Sequence, residues 1–394
     1  MWTVNNPVGQ RPARGRLHFL DHLKVALVVL VVLHHAAQPF GPPDWWYVTG
    51  TDRWEPLGRF TVVNGAFFMS LFFAISAYLL PASFDRKGGP RYLLDRFRRL
   101  GAPLLFGVAV IIPALMYAHY RVFRDYPSIS FGRYYTDVYL GLAPEPAGWT
   151  GPSWPDLQFG HLWFIEHLLV YAILYAVWRA VVRRRPRPST VESPRTAAII
   201  GFTAVLGLGT YAIRITWPVD TWVGILDFLQ AEPADLVQYG GFFLAGLLAY
   251  RRGWFTGLSS RAGYTWLAVG VTLAIAHYAA LPQLARYYAP GGTGIRSLVW
   301  SVVETTMCTA LSLGLLTLFR ERLNQPNRFL QRLAAASFTV YVLHVPVVVA
   351  LQLATRELSA PPLLKFLLVG FIAVPLSFTL ATGLRRVRYL RAWI

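Results

Sequence analysis

Ten stretches of roughly 20 mostly apolar residues divide this 394-residue chain, and they constrain its fold more than any other feature. Inside a bilayer every backbone polar group must be paired, so such a stretch is expected to be a helix. The predicted spans are residues 18–38, 60–80, 101–119, 161–182, 197–215, 236–250, 264–281, 297–319, 336–354 and 362–384. We therefore predict an all-α integral membrane protein with about ten transmembrane helices. Residues 1–394 are expected to form a single transmembrane domain with no appended soluble domain.

The composition argues in the same direction. Hydrophobic residues make up 55% of the chain and charged residues 14%, whereas a soluble domain has about 25% charged residues. The net charge of +18 would suit a nucleic-acid-binding protein, but the mean hydropathy of +0.42 is not that of a soluble scaffold. We expect contacts with membrane lipids and none with nucleic acid. The single cysteine, Cys308, excludes an intramolecular disulfide and a cysteine-rich metal site, and we predict no metal.

The distribution of basic residues predicts the orientation. If the N-terminus is cytoplasmic, 26 of the 37 Lys and Arg residues lie in cytoplasmic segments and ten in outer segments. This bias follows the positive-inside rule and places both termini in the cytoplasm, in the plasma (inner) membrane. The cytoplasmic segments then include an N-terminal tail (1–17), an amphipathic segment (84–100) and a linker (183–195), and the long outer segment is 120–160. A cleaved signal peptide is the alternative for the first span, but a histidine would stand where cleavage sites need a small residue.

Several ionisable side chains lie inside the predicted spans. Because such groups are costly in a membrane, each is a candidate functional residue. They are His34, His35, Glu166, His167, His277, Glu304 and His344, with Asn64 as a polar neighbour. In the predicted orientation nearly all of them lie in the outer half of the membrane or near its middle, which indicates one polar cavity open to the outside. The alternative is that each one only bonds a neighbouring helix.

Helical geometry distinguishes the two adjacent histidines of the first span. Lys24 and His35 are 11 residues apart, about 1100° of rotation, so they share a helix face within roughly 20° and stand about 16 Å apart. His34 is about 80° away from Lys24. An anionic donor held at Lys24 on the cytoplasmic side could therefore reach His35 with its reactive end. Lysine at a helix end is also common as a snorkelling anchor.

The outer segment 120–160 is rich in proline, glycine and aromatic residues, and long irregular segments of this kind are often functional. Trp149, Trp154 and Asp156 could stack on and hydrogen-bond a sugar, and His161 follows at the start of the fourth span. Anchoring of tryptophan at the membrane interface is the alternative.

Five segments, in order along the chain, resemble the acyltransferase-3 family of ten-span membrane O-acyltransferases, and most of all its glucan-succinylating branch. They are Arg16–Lys24 with His35, Phe67–Met69 together with Phe72–Tyr78, Arg96–Pro103, His161–Phe164 and Ser337–Pro346. Two positions depart from the family pattern, because this chain has Lys24 where the family has Arg and Ala77 where it has Gly.

The resemblance implies transfer of an acyl group from cytoplasmic acyl-CoA, a cosubstrate rather than a bound cofactor, to a hydroxyl of a carbohydrate or similar acceptor. It implies that His35 is the general base or a transient acyl carrier, roles that suit imidazole at neutral pH. Glu166 or Glu304 would orient that imidazole, as a carboxylate does in acyl-transfer triads. Three cations would bind the CoA phosphates: Lys24, Arg96 and Arg99. The predicted acceptor-binding residues are His34, Asn64, His161, Trp154, Asp156 and His344.

Other function classes also fit the buried polar residues. A transporter or flippase for a glycan or lipid-linked substrate would use buried charges. A b-type haem protein would use His34 or His35 together with His344 as axial ligands. A glycosyltransferase would use carboxylates of the first outer loop, namely Asp44, Asp52 or Glu55. Ser76 and Cys308 are weaker candidates for a nucleophile. Ser76 suits a small packing residue, and a buried free cysteine is usually inert.

Overall fold

The computed structural model describes residues 16–41, 46–48, 52–123, 126–151, 153–182, 191–225 and 229–387, and most of them are helical. The helices are α1 (His18–Ala37), α2 (Glu55–Gly65), α3 (Phe68–Lys87), α4 (Gly89–Arg96), α5 (Ala102–Phe106), α6 (Ile112–Phe123), α7 (Phe131–Arg133), α8 (Trp163–Val182), α9 (Thr196–Arg214), α10 (Pro233–Arg252), α11 (Trp254–Gly257), α12 (Ser260–Leu284), α13 (Ile295–Arg322), α14 (Arg328–Ala354) and α15 (Pro362–Leu384). Three π-helical turns (Phe97–Gly101, Gly107–Ile111 and Tyr134–Tyr139) and three 3₁₀ turns (Gln38–Phe40, Gly160–Leu162 and Ala285–Tyr287) extend or join them.

The strands in the described ranges form one short hairpin between α9 and α10. Strand β1 (Val223–Ile225) pairs antiparallel with β2 (Leu229–Ala231), and Gly224 stands opposite Gln230. This hairpin lies over the first turns of α8, where the backbone N–H of Gln230 donates to Glu166.

Nine helical stretches of the described residues are long and apolar enough to cross a membrane. The predicted all-α multi-pass membrane protein is therefore supported. Each of the nine overlaps one predicted span, which leaves only the predicted span 236–250 without a match. That segment is the middle of α10, a 20-residue helix about 30 Å long that carries several polar residues. The count of ten therefore depends on α10 and stays a prediction, as does the orientation of the termini.

Two predicted boundaries differ from the structure. The second span is not one helix, because the chain bends at Ala66 and Phe67 between α2 and α3. The amphipathic segment 84–100 is not a separate element either. Helix α3 continues to Lys87, and the chain turns at Gly88, whose φ of +73° favours glycine. From Gly89 the helix then runs through α4 and two π-helical turns directly into the third span.

The interior of the bundle is built around α1, α3 and α14. Helix α1 packs against α14, α13 and α15, and α10 packs against α3. Close approach is possible because Gly246 of α10 faces the backbone of Ala74, where a Cβ would clash with the carbonyl oxygen. Helix α12 lies at the periphery against α13 and is largely exposed, whereas α2 and α3 are mostly buried. The first span, α1, is a core element of the fold because it packs against α13, α14 and α15.

Some predicted segments lie wholly or mostly outside the described residues. They are the tail 1–17, the linker 183–195 and the loop residue Asp44.

Candidate active site

A pair of histidines joins α1 to α14 in the interior of the bundle. Nε2 of His344 lies 3.0 Å from Nδ1 of His35, and the ring centroids are 4.9 Å apart. His344 is fully buried, whereas His35 is partly accessible. The structure therefore brings together the two family motifs that the sequence places 309 residues apart.

The backbone around this pair determines which nitrogens carry hydrogen. A carbonyl oxygen can only accept, so Nδ1 of His344, 2.7 Å from the carbonyl of Tyr341, must donate. Nδ1 of His35 must donate for the same reason, because it lies 3.0 Å from the carbonyl of Val31. In neutral rings Nε2 of His344 then accepts from His35, and Nε2 of His35 carries a free lone pair. That nitrogen has the form a general base requires.

A tryptophan from the loop after α1 stacks on His35. The ring centroids of Trp46 and His35 are 5.4 Å apart, with 24° between the planes. The indole N–H of Trp46 donates to Oε1 of Gln352 over 2.7 Å, and Nε2 of Gln352 donates to the carbonyl of His35 over 3.0 Å. Gln352 thus connects the stacked tryptophan and the backbone of His35 to α14. Sequence reasoning missed both residues, although a glutamine in an apolar span is a signal of the same kind as a histidine there.

His161 is the third histidine of the cluster, and its ring centroid lies 5.2 Å from that of His344. Its Nε2 donates to the carbonyl of Val342 over 3.0 Å, and its own carbonyl accepts from the hydroxyl of Tyr341. His161 precedes α8 and therefore fastens the end of the outer segment to α14. This role differs from the predicted contact with the acceptor, which stays a prediction for both His161 and His344.

His34 points to a different side of α1 from His35, as the helical geometry predicts. Its ring packs against Phe68 at 5.1 Å, and Nε2 lies 3.1 Å from the side-chain amide of Gln38, which donates to it. Nδ1 of His34 and Nδ2 of the buried Asn64 have no hydrogen-bond partner among the described residues. The contact of His34 and Asn64 with the acceptor stays a prediction.

The two predicted carboxylates have partners other than His35. Glu304 accepts from Nη1 of the fully buried Arg214 over 2.5 Å, and Nη2 of Arg214 reaches Asp235 over 3.1 Å. Glu166 accepts from the backbone N–H of Gln230. The prediction that Glu166 or Glu304 orients the imidazole therefore needs correction, because Nδ1 of His35 is bonded to a carbonyl and to His344. The sequence analysis did not single out Arg214 and so missed the partner of Glu304.

The predicted donor-binding cations lie beside acidic residues. Lys24 contacts Asp21 at 2.8 Å, and Asp21 also receives Arg16. Arg96 and Arg99 surround Asp95, at 3.5 and 3.1 Å. The structure thus places Lys24 on α1, and Arg96 and Arg99 on the helix that leads into the third span. Another arginine, Arg179, is buried and joins α8 to Asp85 of α3 at 2.7 Å.

The outer segment is held together by its own side chains. Asp156 is fully buried, accepts from the hydroxyl of Tyr134 and from Gln158 (both 2.9 Å), and so cannot also present its carboxylate to a sugar in this conformation. Trp154 packs edge-on against Trp149 at 5.0 Å. The predicted sugar-binding role is therefore not matched by the geometry of Asp156, and for Trp154 it stays a prediction.

Comparison with known proteins gives the class of the chain. A family model described as an acyltransferase domain matches residues 17–382. The chain belongs to the acyltransferase-3 family. It is accordingly an enzyme that transfers acyl groups other than aminoacyl groups, and the multiple apolar helices make it a membrane acyltransferase.

Curated relatives carry the name "Glucans biosynthesis protein C". The protein of that name from Salmonella gallinarum (strain 287/91 / NCTC 13346) is 26% identical over 343 residues, which cover 84% of this chain and 82% of the relative. Those from Salmonella agona (strain SL483) and Salmonella paratyphi A (strain ATCC 9150 / SARB42) are each 25% identical over 346 residues, with the same coverage. No solved structure matches this chain.

Family membership and geometry together remove the competing hypotheses. The match to an acyltransferase domain favours an enzyme over a transporter or flippase. The direct 3.0 Å contact between His35 and His344 leaves no room for an iron atom between them, which argues against haem ligation by that pair. Among the described loop carboxylates, Glu55 pairs with Arg59 at 2.8 Å. Cys308 is buried in the core, as expected for a packing residue.

Proposed function

We propose that this enzyme moves an acyl group from cytoplasmic acyl-CoA to a hydroxyl of a carbohydrate at the outer face of the plasma (inner) membrane. The observation that carries the proposal is the pair of contacts at Nδ1 of His35, from which its tautomer follows. Val31 and His344 hold its Nδ1–H, so Nε2 is left as a proton acceptor in a partly accessible position. The name of the curated relatives supports a glucan as the acceptor class.

The proposed reaction is a direct transfer with His35 as the base. Nε2 of His35 takes the proton of the acceptor hydroxyl while the hydroxyl oxygen attacks the thioester carbonyl carbon. The carbon–oxygen bond forms, the carbon–sulfur bond breaks, and the CoA thiolate leaves and takes the proton back from the imidazolium. Transfer through an acyl-imidazole on His35 is the second route, and it would also use the lone pair of Nε2.

Lys24 is the proposed point of contact with the donor. It lies on the His35 face of α1, about 16 Å toward the predicted cytoplasmic end, and so could hold an anionic group whose acyl end reaches the base. Arg96 and Arg99 are proposed to hold further phosphates. Asp21 keeps the Lys24 ammonium in place at 2.8 Å.

The test compares the adjacent histidines. Purified protein in lipid nanodiscs is given succinyl-CoA or acetyl-CoA and a glucan oligosaccharide, and thiol release and acylated product are measured. His35→Ala should lower the rate by about 10²–10⁴-fold, the usual cost of losing a general base. His34→Ala is the matched control: it removes a neighbouring imidazole that bonds Gln38, and its effect should be much milder. Parent-like activity of His35→Ala at matched protein amount would remove the proposed mechanism.

The same assay tests the donor site. Lys24→Ala should raise the KM for acyl-CoA with little change in kcat, whereas Lys24→Arg should preserve or improve donor use, because a guanidinium binds phosphate bidentately. An unchanged KM in Lys24→Ala would place the donor elsewhere.

A further inference from the structure

The described surroundings of His35 contain no carboxylate in contact with its ring. The groups that contact its ring are the carbonyl of Val31, the rings of His344 and His34, and the face of Trp46. The two carboxylates predicted to orient the ring, Glu166 and Glu304, are bonded to Gln230 and Arg214 instead. The usual acyl-transfer arrangement, in which a carboxylate stabilises the imidazolium, is therefore not the one built here.

A base in this position still becomes a cation when it accepts a proton. In a buried, weakly polar environment an uncompensated charge is costly. His344 offers one lone pair and Val31 one carbonyl dipole, and both already contact the same nitrogen, Nδ1. Additional stabilisation must then come from a group that contacts the ring itself.

Trp46 has the geometry to supply that stabilisation. An indole face attracts a cation that lies within about 6 Å of the ring centroid, and tryptophan is the most effective residue for this interaction. The His35 ring lies 5.4 Å away and nearly parallel. Trp46 is only 6% exposed, so solvent screens the attraction little, and its hydrogen bond to Gln352 fixes the orientation of the indole.

We propose that Trp46 is a positioning residue that stabilises the His35 imidazolium formed during acyl transfer, in place of a carboxylate. The proposal rests on the proposed function of His35 as the base. In this role the Trp46 indole acts through the His35 ring. Its contribution is realised when the proton has moved to Nε2, so it lowers the barrier rather than improving substrate binding.

The experiment varies the electron density of the indole with little change of its shape. Tryptophans with one to three ring fluorines are inserted at position 46 by stop-codon suppression, and kcat and KM are measured with succinyl-CoA or acetyl-CoA and a glucan oligosaccharide. Each added fluorine weakens the attraction to a cation, so kcat should fall stepwise while both KM values stay within about twofold. Trp46→Leu should lower kcat about 10- to 30-fold, and Trp46→Phe should restore part of it.

Trp300 provides a matched control. Its ring stacks on His277 at 5.2 Å and 24°, almost the same geometry, but outside the His35–His344 pair. Trp300→Leu should leave kcat unchanged at equal amounts of folded protein, checked by thermal unfolding in detergent. If fluorination leaves kcat unchanged while Trp46→Leu lowers it, Trp46 has only a packing role and the inference is overturned. If His35→Ala retains activity, the proposed function itself fails, which is a separate outcome.

Discussion

At the scale of single residues, the contacts of His35, the proposed base, are with neutral groups. Two backbone carbonyls, those of Val31 and Tyr341, determine the protonation of both rings of the His35–His344 pair. The spacing from Lys24 predicts that His35 and His34 lie on different faces of α1, because helical rotation follows from the sequence alone. The partner of His35 was not predictable in the same way, since a face gives a direction but not the helix that lies opposite. His344 was predicted to contact the acceptor, and the structure places its Nε2 against Nδ1 of His35.

Substitution of His344 tests tautomer control. His344→Gln offers an amide oxygen that can still accept from Nδ1–H of His35, whereas His344→Phe offers no acceptor. We expect kcat to fall about 100-fold in His344→Phe and by much less in His344→Gln; the wrong tautomer costs up to about 10⁴-fold in Ser-His-Asp enzymes. Steady-state thiol release in nanodiscs measures both. Equal losses in the two variants would show that His344 acts by shape alone.

At the scale of elements, one arginine connects three helices. Arg214 at the end of α9 bonds Glu304 of α13 and Asp235 of α10, and it is 1% exposed. Removing one member of such a group leaves an uncompensated buried charge, which typically costs about 3–5 kcal/mol. The sequence predicted each of these helices from its apolar run. It could not show that the polar residues at their ends meet, because that depends on how the helices pack.

The loop before α10 should make stability depend on pH. Burial, and then the nearby Asp235, raise the pKa of Glu232 to about 9, although its Oε1 accepts from the backbone N–H of Asp220. The same two causes raise the pKa of Asp220. Since the folded-state pKa of Glu232 lies above its ordinary value of 4.5, its contribution to stability is complete at acidic pH. That contribution is lost as the pH rises toward and through about 9.

We therefore expect a higher Tm at pH 6 than at pH 9 in detergent micelles. Glu232→Gln should raise the Tm at pH 9 and reduce the difference between the two pH values. Glu357→Gln is the control, because that carboxylate side chain is 93% exposed and should leave the pH dependence unchanged. The same pH dependence in Glu232→Gln and the parent would show that other groups cause it.

At the scale of the whole molecule, hydropathy predicted most of the helices and not their arrangement. Runs of apolar residues mark where a helix can sit in lipid, and 362–384 matches α15 exactly at both ends for that reason. The bend between α2 and α3 was missed because residues 60–80 form one largely apolar run. Helix α10 is the sensitive element, since Asp235 and Gln238 are polar in sequence but satisfied by Arg214, Ala66 and Ser70 in the bundle.

Cysteine accessibility decides whether α10 crosses the membrane. In a Cys308→Ala background, single cysteines replace the exposed Thr216 before α10 and the exposed Ser259 after it. If α10 is the tenth span, a membrane-impermeant maleimide should label Thr216→Cys in intact cells and Ser259→Cys only after permeabilisation.

Ser128→Cys in the outer segment and Ser193→Cys in the linker calibrate the two sides, and the predicted orientation requires the first to be labelled from outside and the second from inside. Labelling of positions 216 and 259 from the same side would reduce the spans to nine and move one terminus across the membrane. Labelling of position 193 from outside would invert the orientation and remove the proposed cytoplasmic route of the acyl donor.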